Sequence, residues 1–96
     1  MLGRAFTDEA MVALCFSLLQ NKNIVAVNLG EATDRGLTAN GWEYFRKALP
    51  HTGLVYFYAN NIAPQMIETL KSILRNNRKG NAKIYDRNEF SHMWRL

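Results

Sequence analysis

Leu19, Leu49 and Leu74 set the register of this chain. Four residues before each stand Cys15, Phe45 and Leu70, and four before those stand Met11, Gly41 and Met66. Residues spaced by three and four lie on one face of a helix. Five residues after Leu19 and Leu49 come Ile24 and Leu54, each opening a short apolar stretch: IVAVNL at 24–29 and LVYFYA at 54–59. Helix and strand therefore alternate at a similar spacing, and this narrows the folds more than any other feature. A crossover through a helix makes the two strands parallel and keeps the helices on one side of the sheet. One helix and one strand cannot bury their apolar faces alone, so such units must stack.

The remaining punctuation agrees. Thr7 is placed to cap a first helix, with Asp8 and Glu9 in its first turn, where acids favour the helix dipole. Met11, Leu14, Cys15, Leu18 and Leu19 give its apolar face. In the first strand Ile24, Val27 and Leu29 point inward. The segment 30–36 is polar and reads as a loop. Thr38 or Asn40 caps a second helix that runs to about Leu49, and Pro50 stops it. Residues 54–59 are β-branched and aromatic, hence strand. Pro64 suits the first turn of a third helix, which reads as 64–76. The stretch 76–83, NNRKGNAK, is polar and basic; Ile84 and Tyr85 then read as a third, frayed strand. Phe90, Met93 and Trp94 in the tail read as a last short helix or turn over the end of the core.

Ile24, Val27, Leu29, Gly41, Phe45 and Leu49, and then Leu54, Phe57, Ala59, Met66, Leu70 and Leu74, fill the places of the pattern LxxLxLxxNxLxxxGxxxLxxxL. On these residues the chain resembles the leucine-rich repeat, in the ribonuclease-inhibitor-like class with a true helix in each repeat. The resemblance covers about residues 7–85. It departs from the family in three places. The distance from Ile24 to Leu54 is 30 residues and from Leu49 to Leu74 is 25, so the repeats are unequal. The family's turn asparagine has no clear counterpart after the first strand, although Asn60 or Asn61 can serve after the second. Lys79 stands where a third strand should open with an apolar residue. The resemblance implies an α/β fold: a short leucine-rich-repeat-like solenoid, with parallel strands on one side and helices on the other. It implies one domain over 1–96, with a repeat-like core at about 7–85 and a tail at 86–96. A plain two-layer α/β fold, with helices on one face of a small sheet, explains most of the same pattern.

Ninety-six residues allow one domain. A hydrophobic share of 48% with 21% charged residues is ordinary globular composition rather than disorder. The single cysteine, Cys15, excludes an internal disulfide framework and suits a reducing compartment. No apolar run approaches the roughly 20 residues that span a bilayer, and MLGRAFTDEA turns acidic too early for a secretory leader. The expectation is an intracellular, cytoplasmic chain with no membrane partner, or a piece cut from a longer repeat protein that stacks on further repeats or subunits.

No motif points to a reaction. His51 and His92 stand without Cys, His, Asp or Glu at metal-ligand spacing. Cys15 falls on an apolar helix face with no basic group at helical spacing to lower its pKa. The glycines form neither a GxGxxG nor a phosphate-binding loop. The expectation is a protein that is not an enzyme and takes no metal and no cofactor.

Two groups of residues remain as candidates. If Leu54, Phe57 and Ala59 point inward, Tyr56 and Tyr58 point out on the other face, with Val25 and Asn28 beside them and Tyr85 at the flank. Tyrosine gives large contact area and a hydroxyl at low entropic cost, and it is enriched in binding hot spots. In the resembled family this face is the usual protein-binding surface. The second group is basic: Arg75, Arg78, Lys79, Lys83 and Arg87, on a chain of net charge +4, fit to neutralise phosphates. The first reading is therefore a protein-interaction module or structural subunit built from leucine-rich-repeat-like units. The alternative is a small basic protein that binds nucleic acid.

Overall fold

Thr7 starts the first helix. In the computed structural model its side chain accepts a hydrogen bond from the Ala10 amide at 3.2 Å, and helix α1 follows over Asp8–Gln20. The structure describes residues 6–34 and 36–80. Strand β1 is Ala26–Gly30, and a 3-10 turn at Glu31–Asp34 leads away from it. Thr38, rather than Asn40, caps helix α2 (Ala39–Ala48), accepting from the Asn40 amide at 3.1 Å. Pro50 ends the α-helix as expected, through a 3-10 turn at Leu49–His51. Strand β2 is Tyr56–Ala59, and helix α3 is Pro64–Gly80.

The two strands pair in parallel, as the alternation requires. Ala26 stands opposite Tyr56, Val27 opposite Phe57, and Asn28 opposite Tyr58. The register then slips, so that Gly30 meets Ala59. Gly30 has a φ of 53° at this irregularity, a left-handed conformation that glycine adopts without steric cost. The helices pack on one face of the sheet. Met11, Cys15, Leu18, Phe45, Leu49, Leu54, Phe57, Leu70 and Leu74 form a fully buried core, with Ile24, Val27 and Leu29 half-buried against it. Phe45 and Phe57 stack at 4.7 Å between ring centroids, and Trp42 meets both edge-on at 6.0 and 6.2 Å. This cluster joins α2 to β2.

The helix positions, the parallel pairing and the burial of Leu49, Phe57 and Leu70 follow the sequence reading. The leucine-rich-repeat solenoid does not. Among the described residues two strands and three α-helices form one compact α/β unit, with a radius of gyration of 12.8 Å. A compact domain of this length is expected near ~12.5 Å. A solenoid needs at least about three equivalent units to stack, and the described residues supply two unequal ones. Leu19 shows the break. It aligns with the fully buried Leu49 and Leu74, yet in α1 it is Leu18 that is buried and Leu19 lies at the edge. The spacing of four plus four becomes four plus three, and the first helix is rotated relative to the other two. The structure is the plain two-layer arrangement, and the described residues form no concave repeat surface.

Helix α3 runs four residues beyond the sequence reading of 64–76. Asn76 and Asn77 are poor helix formers and suggest a stop. Instead the Asn77 amide group donates to the Leu49 carbonyl at 3.0 Å and to the Leu54 carbonyl at 2.7 Å. These bonds fasten α3 to the segment that enters β2. The third strand and the closing tail element, at residues 84–85 and 86–96, lie outside the described residues. Among the described residues no helix is long and apolar enough to cross a membrane.

Candidate functional site

The sheet residues named as a binding surface lie on two adjacent strands but are differently accessible. Tyr56 has no exposed surface. With Val55 it forms a second buried cluster, to which Val25, Ala26 and Tyr58 add half-buried area. Period-two alternation does send Tyr56 and Tyr58 to the face opposite Phe57, as the sequence implies. Facing away from the helices is not the same as facing water, and the exposed position expected for Tyr56 is corrected. Asn28 is exposed and stands beside Tyr58 in register. The Tyr58 hydroxyl donates to the Asn60 side-chain carbonyl at 3.0 Å. Tyr85 lies outside the described residues.

Of the five basic residues named from the sequence, the structure describes three. Arg75, Arg78 and Lys79 belong to the last turns of α3, where cations complement the negative end of the helix dipole. Arg75 and Lys79 are exposed and Arg78 is half-buried. No aromatic residue among the described ones is stacked beside them to receive a base. Lys83 and Arg87 lie outside the described residues. Among the described residues nothing ties this stretch to nucleic acid, and the nucleic-acid reading is corrected to that of a basic helix end.

The structure instead exposes an apolar site that the sequence reading passed over. Phe16 on α1 is 54% exposed and Tyr44 on α2 is 38% exposed. Both lie off the buried stripe of their own helix. Where α1 packs on α2, a recess of about 250 Å³ opens, lined by Leu19, Tyr44, Lys47, Ala48 and His51. Tyr44, Lys47, Ala48 and His51 follow at three, four and seven residues, so one edge of α2 and the turn after it make one wall. Leu19 supplies the other wall, and Phe16 stands one turn earlier on the same helix. The sequence signal was present in Phe16, a large aromatic out of step with Met11, Cys15 and Leu18. His51, read as a surface turn residue, is exposed and also lines this recess.

Two contacts tie the ends of α1 to the rest of the chain. Asp8, in the first turn of α1, accepts from the Thr38 amide at 2.8 Å and from its hydroxyl at 2.5 Å. These bonds hold its carboxyl below the usual carboxylate range, with help from the Gly41 amide. At the other end, a Cβ at Gly53 would overlap the Lys22 carbonyl oxygen, so only glycine lets the turn after α1 close against the chain entering β2. Beside the recess, Arg46 is ion-paired with Glu43 across one turn. Glu43 is held low chiefly by that hydrogen bond and also by the charges of Arg46 and Lys47.

No family model, curated protein or solved structure matches this chain. The site must be read from its own chemistry. Among the described residues no group of three or more His, Cys, Asp or Glu gathers to hold a metal ion. Burial pushes the Cys15 thiol up to about 11, leaving negligible thiolate at neutral pH. Near 250 Å³ and open on one side, the recess falls below the roughly 300–1,000 Å³ typical of small-molecule sites. Its size suits a protruding side chain.

Proposed function

We propose that this chain acts by binding another protein, without catalysis, and that the contact is made at the recess between α1 and α2. The observation that carries this reading is an apolar recess with the exposed Tyr44 in its lining and the exposed Phe16 one helical turn from its Leu19. Scattered exposed apolar residues are normal, but an aromatic pair flanking a concave apolar surface has the composition of an interface centre. Tyr44 and Phe16 serve as the anchors, and Leu19 and Ala48 give the apolar lining that an incoming side chain desolvates.

Photo-crosslinking tests this. A benzoyl-phenylalanine at position 16 should capture one defined protein species in cells. The same probe at Glu68, on the exposed face of α3, should not. Tyr44→Ser should abolish the capture from position 16 without changing the circular dichroism spectrum. The captured protein, once purified, should bind the wild-type chain and lose at least about tenfold in affinity for the Tyr44→Ser variant, the effect of a modest hot spot. Equal capture from both positions, or capture indifferent to Tyr44→Ser, overturns the reading.

A further inference from the structure

The charges around the recess identify its occupant more closely, given that the recess is a protein-binding site. Lys47 and His51 are part of its lining. Arg46 is matched by Glu43 and contributes little net charge. Lys22, in the turn that leaves α1, has its backbone packed against Gly53, two residues past His51, which adds a cation at the same end. The acids of α1, Asp8 and Glu9, lie at the far end of that helix, and Asp8 is engaged by Thr38. The site therefore has an apolar floor, two aromatic edges and a positive end. The groove between two packed helices has the form that accepts an amphipathic helix, read by residues at i, i+3, i+4 and i+7.

We propose that the occupant is an acidic amphipathic helix of a partner protein, with one large apolar side chain seated between Leu19, Tyr44 and Ala48 and its carboxylates beside Lys47 and His51. The floor accounts for the apolar anchor, and the positive end accounts for the acids. A second copy of this chain fits less well, because each copy carries a net charge of +4 and association would bring like charges together.

The test uses three synthetic helical peptides with the same leucine face and either Glu, Gln or Lys on the flanks. They are titrated into the whole protein and followed by amide chemical shifts. The Glu peptide should move Phe16, Leu19, Tyr44, Ala48 and His51. At low salt it should bind at least about tenfold tighter than the Gln peptide, with the ratio shrinking toward one near 1 M salt as charges are screened. Lys47→Glu should invert the order, so that the Lys peptide binds best. Equal binding of all three at the recess overturns the acidic assignment and leaves the protein-binding reading intact. Shifts elsewhere, or no binding by any peptide, overturn the helix assignment; the crosslinking experiment then judges the broader reading by itself. Concentration-dependent dimerisation in sedimentation, abolished by Phe16→Ser, makes the second copy the occupant and overturns the proposal.

Discussion

Asp8 connects two helices through Thr38, 30 residues further along the sequence. It sits in the first turn of α1 and accepts both the amide and the hydroxyl of Thr38, the residue that caps α2. Because its folded pKa lies below the ordinary value of 3.8, its contribution is complete above that value and is lost as pH falls through the lower, folded one. Asp8→Asn should therefore lower the melting temperature at neutral pH, and the gap from wild type should close in acid. A gap independent of pH would mean the carboxylate charge does not matter. Asn77 is the second such residue. Asn77→Ala removes the bond to the Leu54 carbonyl and one of the bonds to the Leu49 carbonyl, which Thr52 also serves, and should cost about 1–3 kcal/mol, read as a lower urea midpoint. Cys15 should resist Ellman's reagent at neutral pH and react once the chain is unfolded in urea, because burial raises its pKa to about 11. Fast reaction of the folded protein would contradict its complete burial.

At the scale of elements, α3 has the clearest division of labour. Leu70 and Leu74 are fully buried one turn apart, while Glu68, Thr69 and Ser72 face water. Leu70→Ala should cost about 2–5 kcal/mol, enough to unfold much of a chain this short at body temperature. An unmoved melting temperature would show that α3 is not packed as described. The periodicity made this face legible in advance. The length of the helix was less so, because two asparagines followed by basic residues have the local signature of a stop. What prolongs the helix is a pair of hydrogen bonds to a segment more than 20 residues earlier, which no local pattern encodes.

The whole molecule is small enough for its parts to depend on one another. A two-stranded sheet is marginal by itself in water. Here β2 is held by the Phe45–Phe57 stack and by Leu54 in the helix-side core. Sheet and helices should therefore unfold together, with far-UV and near-UV circular dichroism giving coincident thermal transitions. An early near-UV transition would indicate that the aromatic cluster loosens before the helices. Phe16→Ser serves as the counterpart. It removes a large side chain that is more than half exposed and should change stability by under about 0.5 kcal/mol, leaving any lost binding attributable to the surface.

The sequence alone determined the order and approximate places of three helices and two strands, that the strands run parallel, and which residues of β2 join the helices. All of these follow from local periodicity and the handedness of the crossover. Only the tertiary structure decided how the units meet. Leu18 and Leu19 are both apolar, and the packing of α1 on α2 selects Leu18 for the core and leaves Leu19 at the edge of a recess. That one-residue difference breaks the apparent repeat. Tyr56 and Tyr58 alternate identically in sequence, yet only Tyr56 is wholly buried. Spacing fixes the direction of a side chain relative to its own backbone. Whether that direction ends in water or in another element depends on residues brought together from distant parts of the chain.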